Sequence, residues 1–459
     1  MNITTTTAQQ PPGIVHASLA LFQTAVQEHP RRCLAVAVFL VYVCICHVLR
    51  FRRMAAICRQ KDHTYSPTDR TSLAAMTAVD AQAILAAIQQ REFPFMHTLA
   101  IEFGIFKTYG IPSISRLVGA TRQVTDPVPA AKRAADTLVI LTEIMVNPPT
   151  SPRALQALAR MNYLHSKYVA AGRIRNGDLL YTLAACITEP ARFIARYEWR
   201  PLTDVERCAL GVFWRGIGEA MGISYESVPR SSSGSSSGSD NDTEKEKKDW
   251  KDGLAFVDDL TAWAQAYERD EMRPHPANLP PARRFSALLL ELVPSPLRAF
   301  ALEALTVLMP KRVREAFAYD DPGLAAVLVV YGALAVRRFV LRHLMLPRFG
   351  IHRVTAEHAD PVSGRVGIYE YLAHPWYIRP SMWNRWGPVA LVKRATGGVV
   401  PGDVRREEDG GVREGKTYLP EGFLALDLGP FSTMGVGQDE MAAEVERLKT
   451  MRAGGCPFG

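Results

Sequence analysis

The chain lacks the short motifs that announce the common catalytic chemistries. No glycine-rich dinucleotide fingerprint follows a strand, no phosphate-binding loop occurs, and neither His-Glu-x-x-His nor Gly-x-Ser-x-Gly is present. Nucleotide-dependent hydride transfer, zinc peptidase chemistry and the nucleophile-elbow hydrolases are therefore set aside. The Phe-x-x-Gly-x-x-x-Cys-x-Gly loop by which thiolate-ligated monooxygenases hold iron is missing as well. Seven cysteines make an odd number for a disulfide framework. Cys33, Cys44 and Cys46 fall in one apolar run, and Cys58, Cys186, Cys208 and Cys456 have no close paired spacing of the zinc or iron–sulfur kind. A reduced compartment for the main body follows. Strand periodicity is scarce, and no internal repeat is visible. The net charge of +8 is spread along the chain, with no Lys/Arg block interleaved with aromatics. Nucleic acid is thus not an expected partner, whereas an anionic membrane face suits that charge.

What the chain does have is length and helical apolar pattern. Its 459 residues, 47% hydrophobic, suffice for one large core or two ordinary domains. The run from Cys33 to Leu49, CLAVAVFLVYVCICHVL, carries no formal charge and is bounded by Arg31 and Arg32 before it and Arg50, Arg52 and Arg53 after it. It is read as a retained single membrane span over 31–53, near the short limit and extended by snorkelling arginines. The long polar lead and the absence of a cleavage pattern argue against a signal peptide. Basic residues continuing to Lys61 favour a cytoplasmic body, although Arg31 and Arg32 pull the other way.

The expected architecture is all-α: the single-pass anchor, then a large helical domain over 70–430 with an irregular C-terminal cover. Residues 1–30 and 431–459 read as tails. Helices are expected over Ala130–Val146, Ser151–Val169, Asp178–Ala185 with an interruption near Pro190, and the segment opened by the cap-like Thr203. The stretch PRSSSGSSSGSDNDTEKEKKDWK, 229–251, cannot bury enough apolar area to offset its ordering entropy and reads as a disordered insertion within the domain. Helices resume at 254–269, 281–293, 297–308 and 322–346. The last, AAVLVVYGALAV, is long enough to invite a second span, but Arg337, Arg338 and Arg342 interrupt it, and a buried core helix is the preferred reading.

In a helix, His165 shares a face with Leu158, Met161 and Tyr168, so it is expected to point into the core. Periodicity alone leaves two readings open: a core histidine satisfied by a hydrogen bond, or an axial ligand to iron. Arg133 and Thr137, four apart on the preceding helix, are neighbours able to set a cation and a hydroxyl over a small-molecule pocket. A surface arginine with a carboxylate partner is the plainer alternative. The region around Glu198, Trp199 and Arg200 is dense in charge and reads as a salt-bridged network.

At these residues the sequence resembles the fungal oxygenases of the mycophenolic acid pathway and, more loosely, the bacterial rubber oxygenases. The resemblance is carried by EFGIFKTYGIPSISRLV from Glu102, by ARMNYLHSKYVAAGRIRNGDLLYTLAACITEPARFIARYEWRPLT from Ala159, and by CALGVFWRGIGEAMGI from Cys208. It implies a helical fold around haem b and cleavage of a carbon–carbon double bond in a prenyl or isoprenoid chain by O2, at the endoplasmic reticulum membrane with the catalytic domain cytoplasmic. His165 of LHSKY then matches the proximal ligand of the iron. Arg133 and Thr137 of KRAADT match the distal arginine and threonine, with Arg133 also a candidate for the haem itself. Asp136 stands where the rubber-cleaving enzymes carry lysine. Their catalytic glutamate has no secure counterpart, with Glu102 and Glu143 as the candidates. A haem-binding hydroxylase or sensor of the same fold, and a membrane-bound helical scaffold without activity, are the competing expectations.

Overall fold

The computed structural model describes residues 27–60, 63–231, 250–291, 293–371, 374–403 and 418–452. The expected tail up to residue 26 and the core of the Ser/Gly insertion, 232–249, lie outside the described residues. Numbering only helices of eight residues or more, the order is α1 Pro30–Ile57, α2 Ala78–Ala87, α3 Pro94–Thr108, α4 Pro112–Ala120, α5 Pro127–Val146, α6 Pro152–Ala170, α7 Asn176–Tyr197, α8 Asp204–Ala220, α9 Gly253–Glu271, α10 Leu279–Leu289, α11 Arg298–Leu308, α12 Leu324–His343, α13 Pro388–Ala395 and α14 Gln438–Arg452. Among the described residues there is no strand, only three isolated bridges, so the fold is all-α.

Local chemistry sets the helix starts. Thr203 accepts from the Glu206 amide while Glu206 reaches back to the Thr203 amide, a closed capping box on α8. Ser151 caps α6 with Pro152 in its first turn, and Asp252 caps α9. The α7 helix runs through Pro190, where an interruption was expected. A proline inside a helix costs about 3 kcal/mol. Here α7 is buried along its length against α3, from Leu180 to Tyr197, and that packing outweighs the lost hydrogen bond. The backbones of α8 and α9 meet at Gly211 and Gly253, where any side chain would run into the carbonyls of Gly253 and Cys208.

Buried charge clusters lock the bundle. The Lys107 ammonium pairs with Glu189 at 2.8 Å and Glu268 at 2.5 Å, and Arg192 closes on Glu189 at 2.6 Å. The network expected around Glu198 and Arg200 is present: Arg200 grips Glu206 at 2.6 Å, and Glu198 receives Arg337 at 2.7 Å.

The described residues between 344 and 437 form an irregular cover of turns and short helices, as the glycine/proline-rich sequence indicated. Arg160 of α6, fully buried, holds this cover by donating to the carbonyls of Leu428 at 2.7 Å, Thr433 at 2.7 Å and Val436 at 2.8 Å. Beyond it, part of the expected C-terminal tail forms α14, which packs on α6 and buries Met441 and Leu448.

The expectation for 322–346 is corrected. The α12 helix is not a buried core helix: only Ala326 is fully buried, Tyr331, Leu334 and Leu341 are partly buried against the core, and Leu324, Leu328, Val329, Val336 and Phe339 are exposed. Its arginines are the physical reason. Arg337 turns to Glu198 and the Tyr197 carbonyl, and Arg338 to the Arg196 carbonyl, so the side carrying these arginines docks on the body together with Tyr331, Leu334 and Leu341, and the opposite apolar face is left outward. Among the described residues two helices, α1 and α12, are thus long and apolar enough to cross a membrane.

Candidate functional site

A cavity of about 440 Å³ opens between α3, α4, α5, α6, α7, α8 and α10, with the cover as a further wall. Most of its lining is apolar: Ile101 and Ile105 from α3, Leu138 and Leu141 from α5, Leu164 from α6, Leu179 from α7 and Phe285 from α10. The cover adds Ile368, Glu370, Tyr371, His374 and the turn Gly429–Pro430.

His165 lines this cavity. Its helix is driven inward by Leu155, Leu158 and Ala159, all buried, and one further turn along that face brings the imidazole to the cavity wall. No hydrogen bond among the described residues reaches either ring nitrogen, and Nδ1 is buried without a partner. The expectation of a core histidine satisfied by a hydrogen bond is therefore not met. Burial, with the nearby Arg133 cation adding to it, pushes the His165 pKa down to about 4. The ring is neutral across the physiological range, with a lone pair available.

Arg133 and Thr137 lie on α5 and line the same cavity as His165. Arg133 also sits against Tyr109, whose phenol is raised by burial and drawn back by the guanidinium. The arginine, the threonine and the histidine, separated by up to 32 positions, thus converge on one space.

Asp136, between them in sequence, is engaged in structure. Its carboxylate accepts from Lys132 at 2.7 Å, from the Tyr377 hydroxyl at 2.5 Å and from the Gly429 amide at 2.8 Å. Lys132 in turn donates to the carbonyls of Asp427 at 3.0 Å and Gly429 at 2.9 Å. Asp136 is therefore a clasp between α5 and the cover. Gly429 makes the clasp geometrically possible: its φ is +110°, and a Cβ there would meet Leu164 at 2.8 Å.

The two candidate glutamates separate cleanly. Glu143 does not line the cavity; it is buried in a fork with Arg153 at 2.5 and 2.6 Å, and Arg153 extends to the cover carbonyls of Ala356 and Glu357. Glu102 lines the cavity, with no ion pair or hydrogen bond to its carboxyl among the described residues. Burial raises its pKa to about 7, with Glu370 on the facing cover adding to the shift. Glu102 is half-buried.

Sequence reasoning missed the cover's share of the site: Glu370, Tyr371, His374 and the 429–433 turn. The i,i+4 pair Lys132/Asp136 was visible in KRAAD, but nothing local marked it as buried. No group of three or more His, Cys, Asp or Glu side chains able to hold a bare metal ion occurs among the described residues.

An all-α bundle that brings an unpartnered imidazole, an arginine and a carboxyl to one mostly apolar cavity has the form of a small-molecule site. Comparison with known proteins gives the lineage. The profile described as "ER-bound oxygenase mpaB/B'/Rubber oxygenase, catalytic domain" matches residues 112–342. The chain is 36% identical over 450 residues to the ER-bound oxygenase mpaB' of Penicillium brevicompactum, covering 98% of this chain and 99% of that protein. It is 35% identical to the ER-bound oxygenase mpaB of the same organism, over 91% of this chain and 96% of that one. A relative from Penicillium roqueforti (strain FM164), also named ER-bound oxygenase mpaB, is 37% identical over 68% of this chain and 97% of its own length. The chain belongs to the ER-bound oxygenase mpaB/B'/rubber oxygenase family, and is an oxygenase by that membership.

Proposed function

We propose that this protein is a membrane-anchored, haem b-dependent oxygenase that uses O2 to cleave a carbon–carbon double bond in a prenyl or isoprenoid chain. The observation that carries the reading is the imidazole of His165: neutral, facing the cavity, and without a hydrogen-bond partner among the described residues. A lone imidazole is the donor set suited to a metal whose other ligands come from its own macrocycle. The residues fit such a group. His165 would hold the iron, Arg133 would offer a cation to an anionic edge of the group or to dioxygen, and the apolar walls would receive the porphyrin and the alkene.

When bound, the haem supplies the activation of dioxygen. The chain's own residues do the rest. Burial keeps His165 deprotonated, and Arg133 adds to this because a second positive charge beside the guanidinium is disfavoured. Thr137 brings a hydroxyl to the same wall. Glu102, with a pKa near 7, can hold or release a proton at its carboxyl close to neutral pH. The leucine and isoleucine lining and the clasped cover exclude water. The relatives' printed names, ER-bound, together with the exposed apolar α1, support residence at the endoplasmic reticulum membrane with α1 as the anchor.

The test is the ultraviolet–visible spectrum of detergent-purified protein with and without dithionite. A Soret band that shifts on reduction is expected in the native chain and is lost in His165→Ala, while far-ultraviolet circular dichroism stays helical. Unchanged haem retention in that variant would overturn the assignment. For the reaction, a farnesylated aromatic incubated under labelled dioxygen should give a shortened, labelled aldehyde or acid; a product that is only hydroxylated would favour the hydroxylase reading.

A further inference from the structure

The α12 helix presents a long apolar face that no described residue covers. Leu324, Leu328, Val329, Val336 and Phe339 all point outward, with Leu324 73% and Val336 64% exposed. Between them stand only small residues, and a side chain added at Gly332 would meet nothing. No charge interrupts this face before Arg342, because Arg337 and Arg338 are turned inward to Glu198 and to backbone carbonyls. At 1.5 Å per residue the 20-residue helix is about 30 Å long. Such a contiguous apolar face marks an interaction surface.

What covers it is indicated by its neighbour. The C-terminal end of α12 is fastened to the middle and lower half of α1. The Tyr42 hydroxyl donates to the Leu344 carbonyl at 2.9 Å, the rings of His47 and His343 meet at 3.1 Å, and Arg50 donates to the Met345 carbonyl at 2.8 Å. Tyr42 and His47 lie inside the uncharged run from Cys33 to Leu49. If that run is in lipid, residues 343–345 are held at the same depth by these contacts, and the apolar face of α12 cannot be far above it. The α1 helix is also seated on the body rather than tethered to it, since Arg50 stacks over Trp199 and Phe51 meets the same ring edge-on at 5.8 Å.

We infer that α12 is a second membrane-contacting element, and that its outward face and α1 form one continuous surface in contact with lipid acyl chains. The body then rests in the bilayer surface along α12, with its polar side against α7 and its apolar side in lipid. The inference rests on the reading of α1 as the anchor. One consequence concerns the cavity: the chain leaving α12 contacts Arg53 through the Arg348 carbonyl and four residues later places His352 against Glu370, 3.4 Å away, on the cavity wall. A lipophilic ligand dissolved in the membrane therefore has the cavity close to its own phase.

The test uses the full chain, its accessible cysteines replaced by serine, reconstituted in phosphatidylcholine vesicles. A nitrobenzoxadiazole probe is attached in turn to Leu328→Cys, Val336→Cys, Leu40→Cys on α1 and Glu446→Cys on α14. Doxyl groups on the acyl chains should quench the probes at 328, 336 and 40 several-fold more than the probe at 446, with aqueous iodide giving the reverse order. Lipid quenching at 40 with iodide quenching at 328 and 336 would overturn the inference and leave the anchor standing. Iodide quenching at all four sites would remove the anchor reading and the inference with it. Shielding of 328 and 336 from both quenchers, with disulfide-linked dimers forming at Val336→Cys, would assign the face to a second copy of the chain and overturn the inference as well.

Discussion

Replacing Asp136 by asparagine isolates the clasp that closes the cover over the cavity. Asp136 and Lys132 are each 2% exposed, and the carboxylate accepts three hydrogen bonds, from Lys132, Tyr377 and the Gly429 amide. Burial lifts the Asp136 pKa above the usual carboxylate range even though the Lys132 ammonium opposes the shift. Desolvation therefore exceeds what the pair recovers, so the pair should contribute specificity of closure more than net stability. Removing only the negative charge leaves Lys132 buried with neutral oxygens alone around it, the Tyr377 hydroxyl and the carbonyls of Asp427 and Gly429 among them, and breaking a buried pair from one side costs about 3–5 kcal/mol. Replacing both together, Lys132→Met with Asp136→Leu, should cost less than the sum of the two single changes. The assay is urea unfolding of the detergent-solubilised chain, arranged as a double-mutant cycle, with hydrogen exchange read at 427–431 and 376–378. Asp136→Asn should also accelerate exchange in both segments. A single-variant cost under about 1 kcal/mol, or strict additivity in the cycle, would refute the account of Asp136 as a clasp.

Glu102→Gln tests the cavity carboxyl. With its pKa raised to about 7, the folded state keeps a proton that the unfolded chain releases from about 4.5 upward, so stability falls as pH rises between these values. The variant should gain up to roughly 3 kcal/mol at pH 8 and nothing at pH 4, read as a shift in unfolding midpoint. His97 and His165 give the opposite slope. Both are lowered to about 4 by burial, so the unfolded chain takes up protons first and stability falls as pH drops from about 6.5 towards 4. His97→Phe should flatten that decline in an acid titration of the unfolding midpoint. Arg160→Met strips donors from three cover carbonyls and should cost about 3 kcal/mol, with faster hydrogen exchange across 428–437.

Much of the helical framework is readable locally because caps, prolines and apolar spacing act within a few residues. The capping box at Thr203 and Glu206 and the proline opening α6 are examples. The inward direction of His165 followed from Leu158 and Met161 on the same face, and its meeting with Arg133 and Thr137 came from the family resemblance. The identity of the cavity carboxyl did not follow. Glu102 and Glu143 look alike in sequence, and only Arg153, ten residues beyond Glu143, distinguishes the structural one from the one left facing the cavity. Pro190 misled for a related reason, since a local helix breaker was overruled by packing along the whole of α7.

Composition and pattern were enough to specify an all-α chain, an apolar first helix and a histidine on the inner face of α6, because each depends on residues within a turn or two of one another. The closure of the site and the exposure of α12 depend on partners far apart in the chain. Tyr377 reaches Asp136 across 241 positions, and Arg337 reaches Glu198 across 139. Burial of a charge is settled by what arrives opposite it, and no periodicity records that arrival.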